Sequence, residues 1–404
     1  MKASTLKLCL PMMAMTASQT AAALVIPPFL DGLKYPVSAI GSLISVAPVL
    51  ALAARLPSGL IYRRDRARTL MMAALSVMTA ATFLYSFAVE PLQFALVQAF
   101  NGFAYGAATT IYLAFFVEGL PPNEDRHHAM GYYAGCLALG YSAGGFAAGY
   151  VADQLGYAAT FKFASLLGLL CITLLFFLRP SPPHKAVENP SRKESAQSVL
   201  ASLKSILEPK VATIVVVALF LNLLHQMGNS FFPLYGLAVG LSLTQVGAIR
   251  AFYSLCNAIT RPLSGSVTKQ VGQRRLSRVG LPLQSAFIML VPFFHDFGPL
   301  LTLFVLAGFL RAVVIVANAI SMVEDVDATR VSRGVISGMY NAAGDIGNIL
   351  GPSMGGLIAS FTGIAKLFFV GPLMITVLFF LSLRACRYAD PARGDPSLNR
   401  RKNF

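Results

Sequence analysis

Charge is scarce in this chain. Only 12% of its 404 residues are Asp, Glu, Lys or Arg, 56% are hydrophobic and the mean hydropathy is +0.65. A soluble globular domain carries about twice that share of charge, so a soluble fold is excluded and a membrane is the expected solvent. Cysteine is sparse too. Cys9, Cys136, Cys171, Cys256 and Cys386 lie within or at the ends of apolar segments, with neither metal-ligand spacing nor a pairing pattern, so disulfides and zinc are not expected. The sequence has no phosphate-binding Gly-Lys loop, no paired metal-ligand cluster and no nucleophile elbow. Enzyme chemistry, a cofactor and a metal are therefore not expected. The 17 acidic residues face 32 basic ones, a net charge of +15. In a soluble protein that excess would suggest nucleic acid. Here the basic residues fall mostly in loops between apolar runs, which is a topological pattern and excludes that reading.

What is present is a series of apolar runs, at about 8–30, 37–61, 69–89, 92–117, 130–151, 158–178, 211–235, 240–266, 279–294, 298–323, 334–360 and 364–385. Each is long enough for a spanning helix, which needs about 20 residues. The fold class expected is an all-α membrane protein of twelve transmembrane helices. Alternate loops collect Arg63, Arg64, Arg66 and Arg68, Arg126, the central linker, Lys269, Arg274, Arg275, Arg278, Arg330, Arg333 and the tail, whereas the other side receives little beyond Lys34, Lys162 and Lys366. By the positive-inside rule both termini are expected in the cytoplasm, in a plasma (inner) membrane. The first 23 residues also have the look of a cleavable signal peptide. Cleavage would leave eleven spans and break the symmetry described next, so they are read as the first helix.

Sliding the chain against itself by 206 residues superposes Pro27 on Pro233, Gly41 on Gly247, Arg55 on Arg261, Gly59 on Gly265, Arg68 on Arg274, Gly102 on Gly308, Glu118 on Glu324, Gly145 on Gly351 and Gly149 on Gly355. Matched charges and prolines in one ungapped register point to two six-helix halves. The domains expected are a bundle at 1–178, a solvated cytoplasmic linker at 179–210, a second bundle at 211–388 and a cytoplasmic tail at 389–404. Residues 196–207 have the pattern of a short amphipathic surface helix.

The matching loops read GLIYRRDRAR from Gly59 to Arg68 and GSVTKQVGQR from Gly265 to Arg274, and one helix carries GNILGPSMGG from Gly347 to Gly356. With the six-plus-six organisation and the long basic linker, these residues resemble the major facilitator superfamily. The leading glycine and the basic end of its loop signature are kept, while Arg63 and Lys269 stand where its aspartate is expected. The Gly-Pro helix motif is degenerate in helix 5, and Gln98 stands where drug exporters of the family carry an arginine in helix 4. The resemblance implies a secondary transporter working by alternating access as symporter or antiporter, with helices 1, 4, 7 and 10 around a central cavity. The cavity-lining candidates are then Gln19, Tyr105, His225, Gln226, Arg311 and Asn318. The partners expected are a small solute, a proton and the bilayer, with the protein monomeric.

Ionisable residues at mid-membrane depth need a reason, since each costs about 2.5–3.5 kcal/mol on insertion scales. Counting from Pro299 at 1.5 Å per residue, Arg311 lies about 18 Å into helix 10; Asp345 lies about 16 Å beyond Gly334 in helix 11. Either the two neutralise one another, or they bind cargo or protons. Arg250, about 10 Å into helix 8, has no acidic partner in view; it either lines the site or snorkels outward. His225 is either a hydrogen-bonded structural residue or a proton carrier. Arg55, Arg68 and Glu118, with their counterparts Arg261, Arg274 and Glu324, suggest an acid-base latch in each half beside Gly59 and Gly265; topogenic charge is the plainer explanation. Gly347, Gly351 and Gly355 form a small-residue strip for close packing, and Pro352 offers a bending point. The cargo expected is anionic or zwitterionic, because buried arginine exceeds buried acid. The alternative is a multidrug or lipophilic-compound proton antiporter, and a membrane-embedded receptor or enzyme on the same scaffold is more remote.

Overall fold

A computed structural model of the chain describes residues 3–120, 126–178, 209–327 and 333–388. The amphipathic stretch expected at 196–207 and the tail lie outside the described residues. The helices are α1 (Ala3–Gly32), α2 (Val37–Ile61), α3 (Arg64–Leu84), α4 (Pro91–Gly119), a continuous run Arg126–Phe177, α7 (Pro209–Ala238), α8 (Leu243–Val271), α9 (Gln273–Met289), α10 (Phe297–Asp327), α11 (Arg333–Thr362) and α12 (Ile364–Tyr388). The run 126–177 is two helices, because Gly156 leaves helical geometry at φ 82° and ψ 176°. Only glycine takes that conformation without strain. The chain turns there, which separates α5 (126–155) from α6 (157–177).

Nine described segments are long and apolar enough to cross a membrane, one of them the stretch that holds both α5 and α6. The two helices that fall short are α8 and α11, which carry Arg250, Arg261 and Lys269, and Asp345. Of these, Arg250 and Asp345 are buried, a placement that a bilayer tolerates only where protein or a cavity surrounds the charge. Local signals set several helix starts. Ser242 accepts from the Gln245 amide at the start of α8, and Glu90 and Gln93 form a reciprocal cap before Pro91 opens α4.

The first six helices pack among themselves, α1 against the α5–α6 run and α4 against α2 and α3; α7 packs on α11 and α10 on α8 and α9 in the last six. Small residues let the backbones touch. A Cβ on Gly102 or Gly106 would fall 2.1 or 2.3 Å from the carbonyl oxygens of Ala47 and Ala51, and one on Gly347 would fall 2.4 Å from that of Leu219. Gly351 and Gly355 continue that strip against Gln226, Met227 and Phe231 of α7.

The two sets of helices meet along α5–α8 and α2–α11. Asp153 accepts hydrogen bonds from the Leu243 and Thr244 amides (2.9 and 2.7 Å), capping α8 from the other half. Ser142 Oγ donates to the Ala251 carbonyl (2.9 Å), and Gly149 faces Leu243. On the opposite side Ser45 Oγ donates to the Ile349 carbonyl (2.8 Å) and accepts from Ser353 Oγ (2.7 Å), while a Cβ on Gly41 would fall 2.3 Å from the Pro352 oxygen. These contacts gather at the end of the bundle that carries the α1–α2, α7–α8 and α11–α12 turns, and the halves are closed there.

Candidate functional site

Beneath this closure lies a central cavity of about 490 Å³, walled by α1, α2, α4, α5, α7, α8, α10 and α11. Its polar residues come mostly from helical periodicity. On α7, Asn222, His225, Gln226 and Asn229 recur at i, i+3, i+4 and i+7, so one face turns its polar groups into the cavity. From the first half come Gln19, Gln98, Asn101, Tyr105 and Tyr141. Tyr105 and Tyr141 hydroxyls share a 3.1 Å hydrogen bond, and Tyr85 donates to Gln98 Oε1 at 2.7 Å. Gln19 Nε2 is buried without a hydrogen-bond partner among the described residues.

Among the described residues, the cavity walls hold three arginines and one carboxylate. The carboxylate, Asp345, pairs with Arg55, whose Nη1 donates to its Oδ2. Of the two alternatives for Arg311 and Asp345, mutual neutralisation is not what the structure shows: α2 and α11 are neighbours across the interface, and Arg55 reaches Asp345 there. Arg311 instead donates to the Leu221 carbonyl (2.7 Å) and to Asn222 Oδ1 (2.8 Å), which fixes its guanidinium on α7. Arg250 is 7% exposed and lines the cavity, and its Nε and Nη1 have no partner among the described residues. It faces the protein interior, so outward snorkelling does not describe it. His225 stacks on Tyr253, with ring centroids 5.3 Å apart, and its Nδ1 shares a 3.1 Å hydrogen bond with the Tyr253 hydroxyl.

Of the lining candidates, Gln19, Tyr105, His225, Gln226, Arg250, Arg311 and Asp345 are brought together around this cavity. Asn318 is not: it is 1% exposed and donates to the Ile214 carbonyl at 3.0 Å, tying α10 to α7 outside the cavity. The latch residues are arranged differently from the symmetric expectation. Arg55 reaches Asp345; Arg68 donates to the Phe176 carbonyl and sits over its ring (5.4 Å); Glu118 accepts from Tyr62 (2.8 Å); and Arg261 donates to Asn257 one turn earlier (3.1 Å). Arg274 opens α9, Gly59 and Gly265 have open space around them, and the Glu324 side chain lies outside the described residues. Asn222 and Asn229 went unrecognised in the sequence although the i, i+3, i+4, i+7 pattern was available; Asp153 had no local signal, because its partner is a helix end some 90 residues away.

A family model described as Major Facilitator Superfamily matches residues 8–249 and 226–403. Among curated proteins, the chain is 25% identical over 151 residues to the quinolone resistance protein NorA of Staphylococcus aureus, a match covering 37% of this chain and 38% of that one. It is 20% identical over 289 residues to an MFS-type transporter of Methanocaldococcus jannaschii, covering 71% and 73%. Among solved structures, the nucleoside transporter NupG superposes with a TM-score of 0.76 at 14% identity, over 96% of this chain and 99% of that one. A bacterial homologue of the human lysosomal transporter Spinster, in an inward-facing and unoccupied conformation, superposes with a TM-score of 0.73 at 15% identity, over 96% and 95%. At such identities the likeness is one of fold.

Proposed function

The chain belongs to the Major Facilitator Superfamily, a family of multi-pass membrane transporters, and on that premise we propose that its central cavity carries a small anionic or zwitterionic solute by alternating access, with a proton as coupling ion. The observation that carries this reading is the charge balance of the cavity. Its one carboxylate among the described residues, Asp345, is engaged by Arg55, which leaves Arg250 and Arg311 without a counter-charge. A guanidinium away from bulk water favours a carboxylate or phosphate that it can grip through two parallel hydrogen bonds. The amides and phenols of Gln19, Gln98, Asn101, Tyr105 and Tyr141 offer neutral hydrogen bonds to the rest of the cargo.

Asp345 is the proposed coupling group. Its charge can be met by Arg55 or by a proton, and the two are alternatives. A proton on Asp345 therefore weakens a contact that joins the halves, which links protonation to the conformational equilibrium. The loop-charge asymmetry supports cytoplasmic termini in a plasma membrane, and the cavity then faces the cytoplasm in this conformation. His225, stacked and hydrogen-bonded to Tyr253, fits a positioning role better than that of a free proton carrier.

A proton-driven exporter of lipophilic compounds is the second reading, favoured by the likeness to NorA. Reconstitution into liposomes with and without a pH gradient, using small carboxylates and phosphates against lipophilic cations, separates the two. Preference for cations would reject the anion reading. In the same vesicles Asp345→Asn should lose accumulation against a gradient and keep counterflow exchange; a variant that still concentrates cargo normally would reduce Asp345 to a structural partner of Arg55.

A further inference from the structure

Beside the central cavity, within the last six helices, lies a second and much smaller chamber of about 20 Å³, bounded by α7, α8, α9 and α10. That is room for one body of about the size of a water molecule. Its walls are mixed: Phe232 and Phe304 are apolar, and Arg250, Gln284, Asn229 and Tyr253 are polar. Two of them are unusual. Gln284 is 0% exposed, and neither Nε2 nor Oε1 has a hydrogen-bond partner among the described residues. Arg250 is 7% exposed, and its Nε and Nη1 are likewise unpartnered.

Buried polar groups in native proteins are satisfied almost without exception, and a buried charge is paired. Here two buried side chains, with at least three N–H donors without partners, line one water-sized space. Among the described residues, neither this chamber nor the central cavity beside it offers Arg250 a free carboxylate, since Asp345 is held by Arg55. A water molecule would meet the hydrogen-bonding need and leave the charge uncompensated. A monatomic anion accepts from the unpartnered N–H groups and neutralises the charge, and leaves only the Gln284 Oε1 acceptor unmet.

We propose that this chamber is a binding site for a small halide, chloride in the cell, held by the Arg250 guanidinium and the Gln284 amide. The bound ion neutralises Arg250 and ties α8 to α9. The chamber adjoins the cargo cavity and shares Arg250, His225 and Asn229 with its wall; with the ion in place Arg311 is the guanidinium left for cargo, and the anion test below reads the chamber without cargo or transport.

The test is the thermal unfolding of the purified full-length protein in detergent, in sodium chloride, bromide, sulfate or gluconate at equal ionic strength. Chloride and bromide should raise Tm saturably, whereas sulfate and gluconate, too large for the chamber, should not. Gln284→Leu removes one donor and should raise the half-saturating chloride concentration about tenfold or more. Gln284→Glu supplies a carboxylate in place of the ion, and its Tm should match the chloride-loaded wild type and ignore chloride. If Gln284→Leu fails to fold, the glutamate variant and the wild-type anion series decide alone. A wild-type Tm equal in all four salts, as a chamber holding only water would give, overturns the proposal. So does an equal rise in sulfate, which marks a general salt effect, or a chloride response unchanged in Gln284→Glu.

Discussion

Removing the Arg55–Asp345 ion pair should shift the balance between the two access states, by an amount that the structure bounds. The pair joins α2 of one half to α11 of the other, and the side chains are 41% and 12% exposed. Two charges in contact attract by about 4 kcal/mol at an effective dielectric of about 20. Desolvation of the well-covered Asp345 and the solvent around the open Arg55 both reduce the net value. Fully exposed pairs are worth about 0–1 kcal/mol, and breaking a fully buried one costs about 3–5 kcal/mol. A half-covered pair falls between, at about 1–2 kcal/mol, which is about a 5–30-fold change in a two-state ratio. The conformation seen here, closed at the end carrying the α1–α2 and α11–α12 turns, should lose that much in Asp345→Asn or in Arg55→Gln. Spin labels at Asp31 and Lys366, one on each half at the closed end, report the state as a distance distribution. Each single variant should populate a longer distance, and the double variant should add little, since the second change removes nothing further. Unchanged distributions in both single variants, or strictly additive shifts, would refute the pair as a contact that discriminates between states.

Three further outcomes follow from other parts of the molecule. Arg311→Lys replaces the planar fork, whose Nη1 and Nη2 reach Leu221 and Asn222 separately, with a single ammonium that cannot also grip a carboxylate in a bidentate way; losing a charge-assisted bond worth about 1.5–3 kcal/mol should weaken counterflow affinity for cargo about tenfold or more, and wild-type counterflow would remove Arg311 from the site. Gly41→Ala and Gly149→Ala put a methyl group 2.3 and 2.2 Å from opposing carbonyl oxygens, so both should open the closed end in the same label pair, whereas Gly59→Ala meets open space and should be neutral or gain up to about 1 kcal/mol in stability. A cysteine at Lys34 should react only with impermeant reagent added outside the cell, and one at Ser397 only from the cytoplasm; the reverse pattern would invert the topology.

Most of the fold was legible because one strong signal governs it. A bilayer forces long apolar runs, and the helices begin and end within about six residues of those runs, α3 and α9 being the most displaced; even the α5–α6 turn at Gly156 falls in the gap between 151 and 158. Depth was legible as well, since counting residues put Arg311 and Asp345 near the middle of their helices, and both line the cavity. Partners were not. Asp345 could be matched with Arg311 only by depth, and depth does not say which helix is adjacent; the adjacency of α2 and α11 decides for Arg55. Asn318 failed for a related reason, because a polar residue on a lining helix points to the cavity only if its turn of the helix does, and at that level α10 faces Ile214.

The two kinds of arginine in the cavity have different physical consequences for an alternating-access cycle. Arg311 is fixed to α7 through Leu221 and Asn222, both within its own half, so its surroundings travel with it when the halves move. A group whose contacts are the same in both states can hold cargo tightly and still shift no equilibrium. Arg55 and Asp345 belong to different halves, and their contact must change when the α2–α11 seam opens. A contact that changes in this way lets a proton or a ligand act on the conformation. In the proposed cycle, affinity is therefore assigned to Arg311 in the last six helices, and switching to the Arg55–Asp345 ion pair that crosses between the halves.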